Sequence, residues 1–263
     1  MTSLQALLQI AELDELDPLV RWSVDPSQVR HVVHEGNDLG LLRLTKDGKP
    51  WATVLGQDHT SAASLTEQLA RHGFAGITSS AVLWPRLWSA WPGRGSPAAD
   101  DPDVGLWSLW ACRTADVEEH AQRSTILAPQ DARITPLLAF SSSAHVFASD
   151  PRIVRWVGIE QDTALVAVAG QITAQAGAGE IVSVCTHPDY RGRGYAAACV
   201  RHLVMLARHE GVTTMILEAY TNNLPAAAVY RGVGFTEMAR YASWELAHSC
   251  GAGTCGTGTD LSC

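Results

Sequence analysis

The chain has 263 residues, of which 46% are hydrophobic and 17% charged, enough for one large core or two of ordinary size and too apolar for a globally disordered protein. Nineteen basic against 27 acidic residues leave a net charge of −8, which argues against a generic grip on nucleic acid or an anionic membrane. No run approaches the ~18 uninterrupted apolar residues that a bilayer span needs. The opening MTSLQALLQIAELDELD lacks the basic start and apolar block of a secretory leader and predicts an amphipathic helix near residues 3 to 13, so a cytoplasmic address is expected.

In DLGLLRLTKDGKPWATVLG, Asp47-Gly48 separates two apolar runs and predicts a hairpin. The segment SAASLTEQLARHG predicts a helix closed at Gly73, with Thr60 or Ser61 as N-cap. Five of the nine tryptophans fall between Ala81 and Ala111, around the loop GRGSPAADDPD. Large aromatics are usually buried, so packing is the favoured reading of them over a substrate wall. Pro and polar residues in LAPQDARITP place a boundary near residue 130. The expected division is therefore an N-terminal α/β domain over 1–130, a second domain over 131–248 and an appendage over 249–263.

RIVRWVGIE and TALVAVAGQITA are β-rich runs joined at Gln161-Asp162, an antiparallel hairpin. GEIVSVCTHP is a third strand ending at Pro188, and GYAAACVRHLVMLARHEG is a helix whose Val200, Leu203, Val204 and Ala207 make one apolar stripe before Gly211. Strand TTMILEAY, helix LPAAAVYRGVG and strand FTEMARYASWEL follow. The order β-β-β-α-β-α-β predicts a mixed α/β layer.

Between the third strand and its helix stands Arg191-Gly192-Arg193-Gly194. Glycines let backbone approach a ligand, the first helical turn exposes N–H groups and the helix dipole adds positive potential, so the segment suits a phosphate or pyrophosphate. A Walker loop would need a Gly-Lys-Ser/Thr that is missing. A dinucleotide fingerprint fits formally at Gly192, Gly194 and Ala197, with Glu218 as ribose contact. Four residues, however, separate the strand from the first glycine.

The run from Val184 to Ala196 resembles motif A of the GCN5-related N-acetyltransferase (GNAT) superfamily, Gln/Arg-x-x-Gly-x-Gly/Ala, with Arg191, Gly194 and Ala196 at its fixed positions. The run Asn223 to Phe235 resembles motif B, Asn-x-x-Ala-x-x-x-Tyr-x-x-x-Gly-Phe. The resemblance covers roughly residues 130 to 247. It implies a GNAT fold with a mixed, mostly antiparallel central sheet, and acetyl-CoA as cosubstrate. Its pyrophosphate would lie on the backbone of Gly192, Arg193, Gly194, Tyr195, Ala196 and Ala197, with Arg191 at the mouth. Val184, Cys185 and Thr186 would pair with the pantetheine arm, and Asn223 and Tyr230 would lie near the thioester. Glu180, eleven residues before Arg191, matches the base of some members, and Tyr230 the usual acid. The family does not normally use an acyl-enzyme, which leaves Cys185 a backbone contributor; His187 and His145 read as loop or core residues.

The first half has no motif A. LARHGFAGIT at 69–78 nevertheless echoes LARHEGVTTMI at 206–216, and VLGQDHTSAA stands where the glycine loop would be. A degenerate acetyltransferase-like half that shapes the acceptor pocket, as in chains with an FR47-like C-terminal domain, is one expectation. In the tail, Cys250, Cys255 and Cys263 have the spacing Cys-x4-Cys-x7-Cys, unlike a zinc clip, and no metal is expected. The leading function is acetyl transfer to a primary amine of a small molecule or peptide by a monomer or homodimer. The rival is an acyl-CoA-binding module without turnover.

Overall fold

The structure, a computed structural model, describes residues 17–45, 47–90, 104–119 and 123–246. The helix expected near residues 3 to 13, the loop GRGSPAADDPD and the cysteine tail lie outside them. The chain order is α1 (Pro18–Trp22), β1 (Val29–Glu35), β2 (Asp38–Leu44), β3 (Pro50–Leu55), α2 (His59–Ala70), β4 (Gly76–Ser80), α3 (Trp84–Ser89) and β5 (Val104–Arg113). Then come β6 (Thr125–Leu127), α4 (Ile134–Leu138), β7 (Ile153–Gln161), β8 (Ala164–Thr173), β9 (Gly179–Thr186), α5 (Tyr195–His209), β10 (Thr214–Tyr220), α6 (Leu224–Val233) and β11 (Thr236–Glu245).

One mixed sheet holds all eleven strands in the order β1-β2-β3-β4-β11-β5-β10-β9-β8-β7-β6. Only β3 with β4 and β9 with β10 run parallel, each pair joined across a helix, as parallel neighbours require. The doubly wound parallel sheet of a dinucleotide-binding protein is not formed. The expected boundary near residue 130 is no break in the sheet, because β5 and β6 both precede it and sit at its centre and far edge.

Two series share one element order: β1-β2-β3-α2-β4-α3-β5 and β7-β8-β9-α5-β10-α6-β11. Their last strands are exchanged. β11 pairs with β4, β5 pairs with β10, and β5 and β11 pair with each other at the centre. The two sequence echoes occupy corresponding places, the end of α2 before β4 and the end of α5 before β10.

The expected hairpins form at Asp47-Gly48 and Gln161-Asp162. The stripe Val200, Leu203, Val204 and Ala207 is fully buried against the sheet. Helix α2 begins at His59, two residues before the predicted segment that opens at Ser61. Its cap is Asp58, whose carboxylate accepts the Thr60 N–H at 3.0 Å and the Ser61 hydroxyl at 3.0 Å, so Ser61 supports the cap and does not serve as it. Trp84, Trp88 and Trp110 are core residues, as the packing reading expects. Trp107 is half-buried and departs from that reading, because it lines a cavity. Helix α1 covers the sheet face of that cavity: the Asp17 Oδ1 accepts the Leu19 N–H at 2.9 Å and the Tyr241 hydroxyl at 2.5 Å, which ties the helix to β11.

At the β3–α2 junction the first half closes its own loop. The Asp38 carboxylate accepts the backbone N–H groups of Gln57 and Asp58, both at 3.1 Å, and Ser80 Oγ accepts that of Gly56 at 3.1 Å. Asp38→Ala removes a buried carboxylate and with it a part-buried, charge-assisted bond to each of the two N–H groups. It should lower stability by about 2–4 kcal/mol in urea unfolding and leave acetyl-CoA affinity unchanged.

Candidate active site

The site starts as a defect in the sheet. β9 and β10 pair at three positions, Met215↔Gly179, Ile216↔Glu180 and Leu217↔Ile181, and then part. Beyond that point Val182, Cys185 and Thr186 of β9 keep partners on β8, and residues 218–220 of β10 keep partners on β5, so a wedge opens between two strands otherwise held. Where it opens, Ser183 has φ +52° and the β8 register slips, a bulge of the kind that re-aims a strand. Ser183 Oγ fixes the bulge by donating to the Val146 carbonyl at 2.7 Å. The equivalent first-half pair, β3 with β4, stays joined over four positions and has no wedge. Unpaired strand edges present backbone donors and acceptors at regular spacing, which suits an extended chain bearing amides.

The second component is an open anion cradle. Gly192 and Gly194 both have φ +76°, a left-handed conformation that other residues adopt at a cost, and a Cβ built on either would meet nothing within 4 Å. No side chain caps α5, whose first internal bond runs from the Ala198 N–H to the Gly194 carbonyl at 3.0 Å. The N–H groups of Tyr195, Ala196 and Ala197 therefore face outward at the positive end of a 15-residue helix. In the first half the Asp38 carboxylate takes the N–H groups of Gln57 and Asp58 just before α2, and Asp58 takes that of Thr60 in its first turn. Arg191 stands beside the cradle and donates from Nε to the Thr186 carbonyl at 3.2 Å. The Arg193 side chain turns away from it, stacking on Tyr190 at 4.9 Å and donating to the Asp189 carbonyl at 3.2 Å.

Wedge and cradle open into one cavity of about 1250 Å³, which also reaches Arg43, Trp51, Thr78, Trp107 and Ser243 from the other half of the sheet. Pockets for one small ligand commonly hold ~300–1,000 Å³, so two reactants fit. At the mouth of the wedge stand Glu180 and Glu218. Burial pushes the Glu180 carboxyl up to about 8, with the negative field of Glu218 adding to the rise and Arg152 opposing it. Burial also raises Glu218, against a hydrogen bond from Ser23 Oγ at 3.2 Å and the nearby His145 and Arg43. The two titrate as a pair and hold a proton into the neutral range. Tyr230 packs between Trp110 and Phe235, and burial pushes its phenol up to about 12, so its hydroxyl stays protonated.

Of the residues singled out in the sequence, Val184, Cys185, Thr186, Arg191, Gly192, Gly194, Tyr195, Ala196, Ala197, Asn223, Glu180 and Tyr230 all line this cavity. Arg193 is outside the lining, and only its backbone can serve. Asn223 is engaged as the cap of α6, its Oδ1 accepting the Ala226 N–H at 3.2 Å. The Cys185 thiol is buried and donates to the Leu137 carbonyl at 3.2 Å; burial raises its pKa, which disfavours the thiolate a nucleophile needs. His187 caps the turn at 188–190, accepting the Asp189 N–H at 3.3 Å. Arg43 was missed as a site residue, and Glu218 entered only as a ribose contact of the dinucleotide reading, not as a partner of Glu180. A lone glutamate in the apolar strand MILEAY is the signal that could have found Glu218; nothing local marks Arg43.

Comparison with known proteins follows the same boundaries. Residues 109–235 match the family model described as the acetyltransferase (GNAT) family, a span that runs from β5 to the foot of β11. That span thus has the sequence pattern of a GNAT acetyltransferase domain. N-acetyltransferase 8B of Rattus norvegicus is 32% identical over 62 residues, which cover 24% of this chain and 28% of that protein. The [ribosomal protein bS18]-alanine N-acetyltransferase of Escherichia coli K12 is 33% identical over 57 residues, 22% of this chain and 38% of the relative. The chain therefore spans well under half the length of these curated relatives. Among solved structures, a GCN5-related N-acetyltransferase from Kribbella flavida has TM-score 0.51 at 19% identity, covering 83% of this chain and 90% of its own. A Drosophila protein has TM-score 0.55 at 12% identity, covering 93% and 86%. At these identities the likeness is one of fold. No helix among the described residues is long and apolar enough to cross a membrane.

Proposed function

We propose that the chain is an acyl-CoA-dependent N-acyltransferase that moves an acetyl group from acetyl-CoA to a primary amine of a small molecule or peptide, by direct attack in a ternary complex. One observation carries this reading: an open anion cradle and a strand wedge meet, in a single cavity, a proton-holding carboxyl pair and a protonated tyrosine. The CoA pyrophosphate takes the N–H groups at 192–197, the pantetheine amides take the edge of Val184 to Thr186, and the thioester lies in the wedge near Tyr230. The first half supplies the acceptor side of the cavity and, with Asp38 in its own loop, binds no second cofactor.

An amine with the basicity of lysine, pKa about 10.4, arrives as ammonium and must lose a proton before it can attack. Glu180, in its ionised form and beside Glu218, takes that proton directly or through a water. The nitrogen then bonds to the thioester carbon, the oxygen's developing charge falls to strand N–H groups, and the C–S bond breaks. Tyr230 gives the departing thiolate its proton, and the surplus proton on the new amide nitrogen returns to the tyrosinate directly or through water, so that both groups end neutral. No covalent enzyme intermediate forms, in keeping with the inert Cys185.

Tyr230→Phe deletes the donor and keeps the ring that packs on Trp110. Its kcat should fall by about 10²-fold with acetyl-CoA affinity within ~2-fold of the parent. Stopped-flow release of CoA thiol together with calorimetry checks both numbers, and an unchanged kcat removes Tyr230 from the chemistry.

A further inference from the structure

We propose that the acceptor carries an anionic group, a carboxylate, which Arg43 receives while the acceptor's amine lies at Glu180 and Glu218. This deepens the acyltransferase reading and rests on it.

Among the described residues three arginines line the cavity: Arg43, Arg152 and Arg191. Arg152 is paired with Asp150 at 3.0 Å, and Arg191 donates to backbone carbonyls. Arg43 has no hydrogen-bond or ion-pair partner among the described residues, and its Nε is buried without an acceptor. A guanidinium in that state is costly to bury unless something supplies an anion. The residue's burial pulls its pKa below the ordinary arginine value, and the field of Glu218 partly offsets this. The two charges thus sense each other across the cavity without forming an ion pair, and both line it. A molecule with an amine at one end and a carboxylate at the other can meet both.

The floor between the two charges is rigid and leaves no polar demand of its own. Trp51 Nε1 donates to Thr78 Oγ1 at 2.9 Å, Thr78 Oγ1 and Ser243 Oγ are 2.9 Å apart, and Trp107 Nε1 donates to Ser243 Oγ at 2.9 Å. This chain of bonds crosses β3, β4, β11 and β5, and each indole N–H is already used. What the indoles can still present to the cavity is ring surface, which suits the carbon part of an acceptor rather than its polar ends. The exchanged strand β11 provides Ser243, so the acceptor floor depends on both halves of the chain.

The test uses the full chain with acetyl-CoA and matched acceptors: each common L-amino acid beside its amide and its decarboxylated amine. The amino acids that react should exceed their amides at least about 100-fold in kcat/KM, the scale of losing one partner of a buried hydrogen-bonded charge pair. Arg43→Gln should erase that ratio with acetyl-CoA affinity unchanged, and Arg43→Lys should restore part of it. Equal rates for an amino acid and its amide, or a ratio that survives Arg43→Gln, overturns the proposal. Calorimetry of the same acceptors against the CoA-loaded protein separates the two levels. Arg43-dependent binding without turnover supports the anion site and contradicts the acyltransferase reading; binding of amides as tight as the amino acids overturns the anion site.

Discussion

Gly194→Val should weaken CoA and acetyl-CoA by about 100-fold or more while the protein stays folded. The residue caps α5 at φ +76° with no protein atom within 4 Å of a would-be Cβ, so the new side chain meets no protein and stands in the space reserved for phosphate. Backbone bonds to a charged group are worth roughly 1.5–3 kcal/mol each, and losing two costs about two orders of magnitude in affinity or more. The left-handed backbone adds roughly 1–2 kcal/mol of strain, a part of the ~5–15 kcal/mol that a domain has to lose. Calorimetry with CoA measures the first effect and circular dichroism the second. The parent protein should also gain about 2.7 kcal/mol of stability at a CoA concentration of 100 times Kd, a gain the variant should not show. Full CoA affinity in a folded Gly194→Val protein would place the pyrophosphate elsewhere.

The second large effect is on pH dependence. With the Glu180 carboxyl at about 8, the base is mostly protonated at neutral pH, so kcat/KM should climb through a limb centred near that value. Glu180→Gln should lower kcat by about 10²- to 10³-fold and remove the limb. Stability gives an independent sign. The folded protein keeps this proton up to about pH 8, whereas the unfolded chain releases it near the ordinary 4.5, so this group makes the fold less stable as pH rises across that window. Glu180→Gln removes that slope, and the variant should gain on the parent between pH 5 and pH 9 in urea unfolding. An unaltered pH–rate profile in the variant excludes Glu180 as base and turns attention to Glu218.

The second half of this fold is legible because its signals are local. The stripe on α5 repeats at helical spacing, the glycine loop has to stand between a strand and a helix, and the two motifs fix their residues to neighbouring elements. The far side of the cavity is set by contacts between residues far apart in sequence. Arg43, Trp51, Thr78, Trp107 and Ser243 come from five strands and meet only because β11 and β5 exchange places at the centre of the sheet. No spacing in the sequence encodes that exchange. The absence of a glycine loop from the first half is visible in the sequence, but what closes the corresponding junction, the Asp38 carboxylate bonded to N–H groups of the β3–α2 loop, needed the fold. Asn223 shows the opposite case: the motif marks it for the thioester end, and the fold engages it as the cap of α6.

The central claim is that the cavity transfers an acyl group and does more than bind CoA. The most direct measurement is the initial rate of CoA thiol release from acetyl-CoA by the full chain, with both acetyl-CoA and an amine varied over a broad panel of amino acids, peptides and simple amines. Amine-dependent release with intersecting double-reciprocal lines is the predicted result, as a ternary complex requires. Parallel lines would instead demand an acyl-enzyme, and tight acetyl-CoA binding without amine-dependent release from any member of the panel would make the protein a binding module.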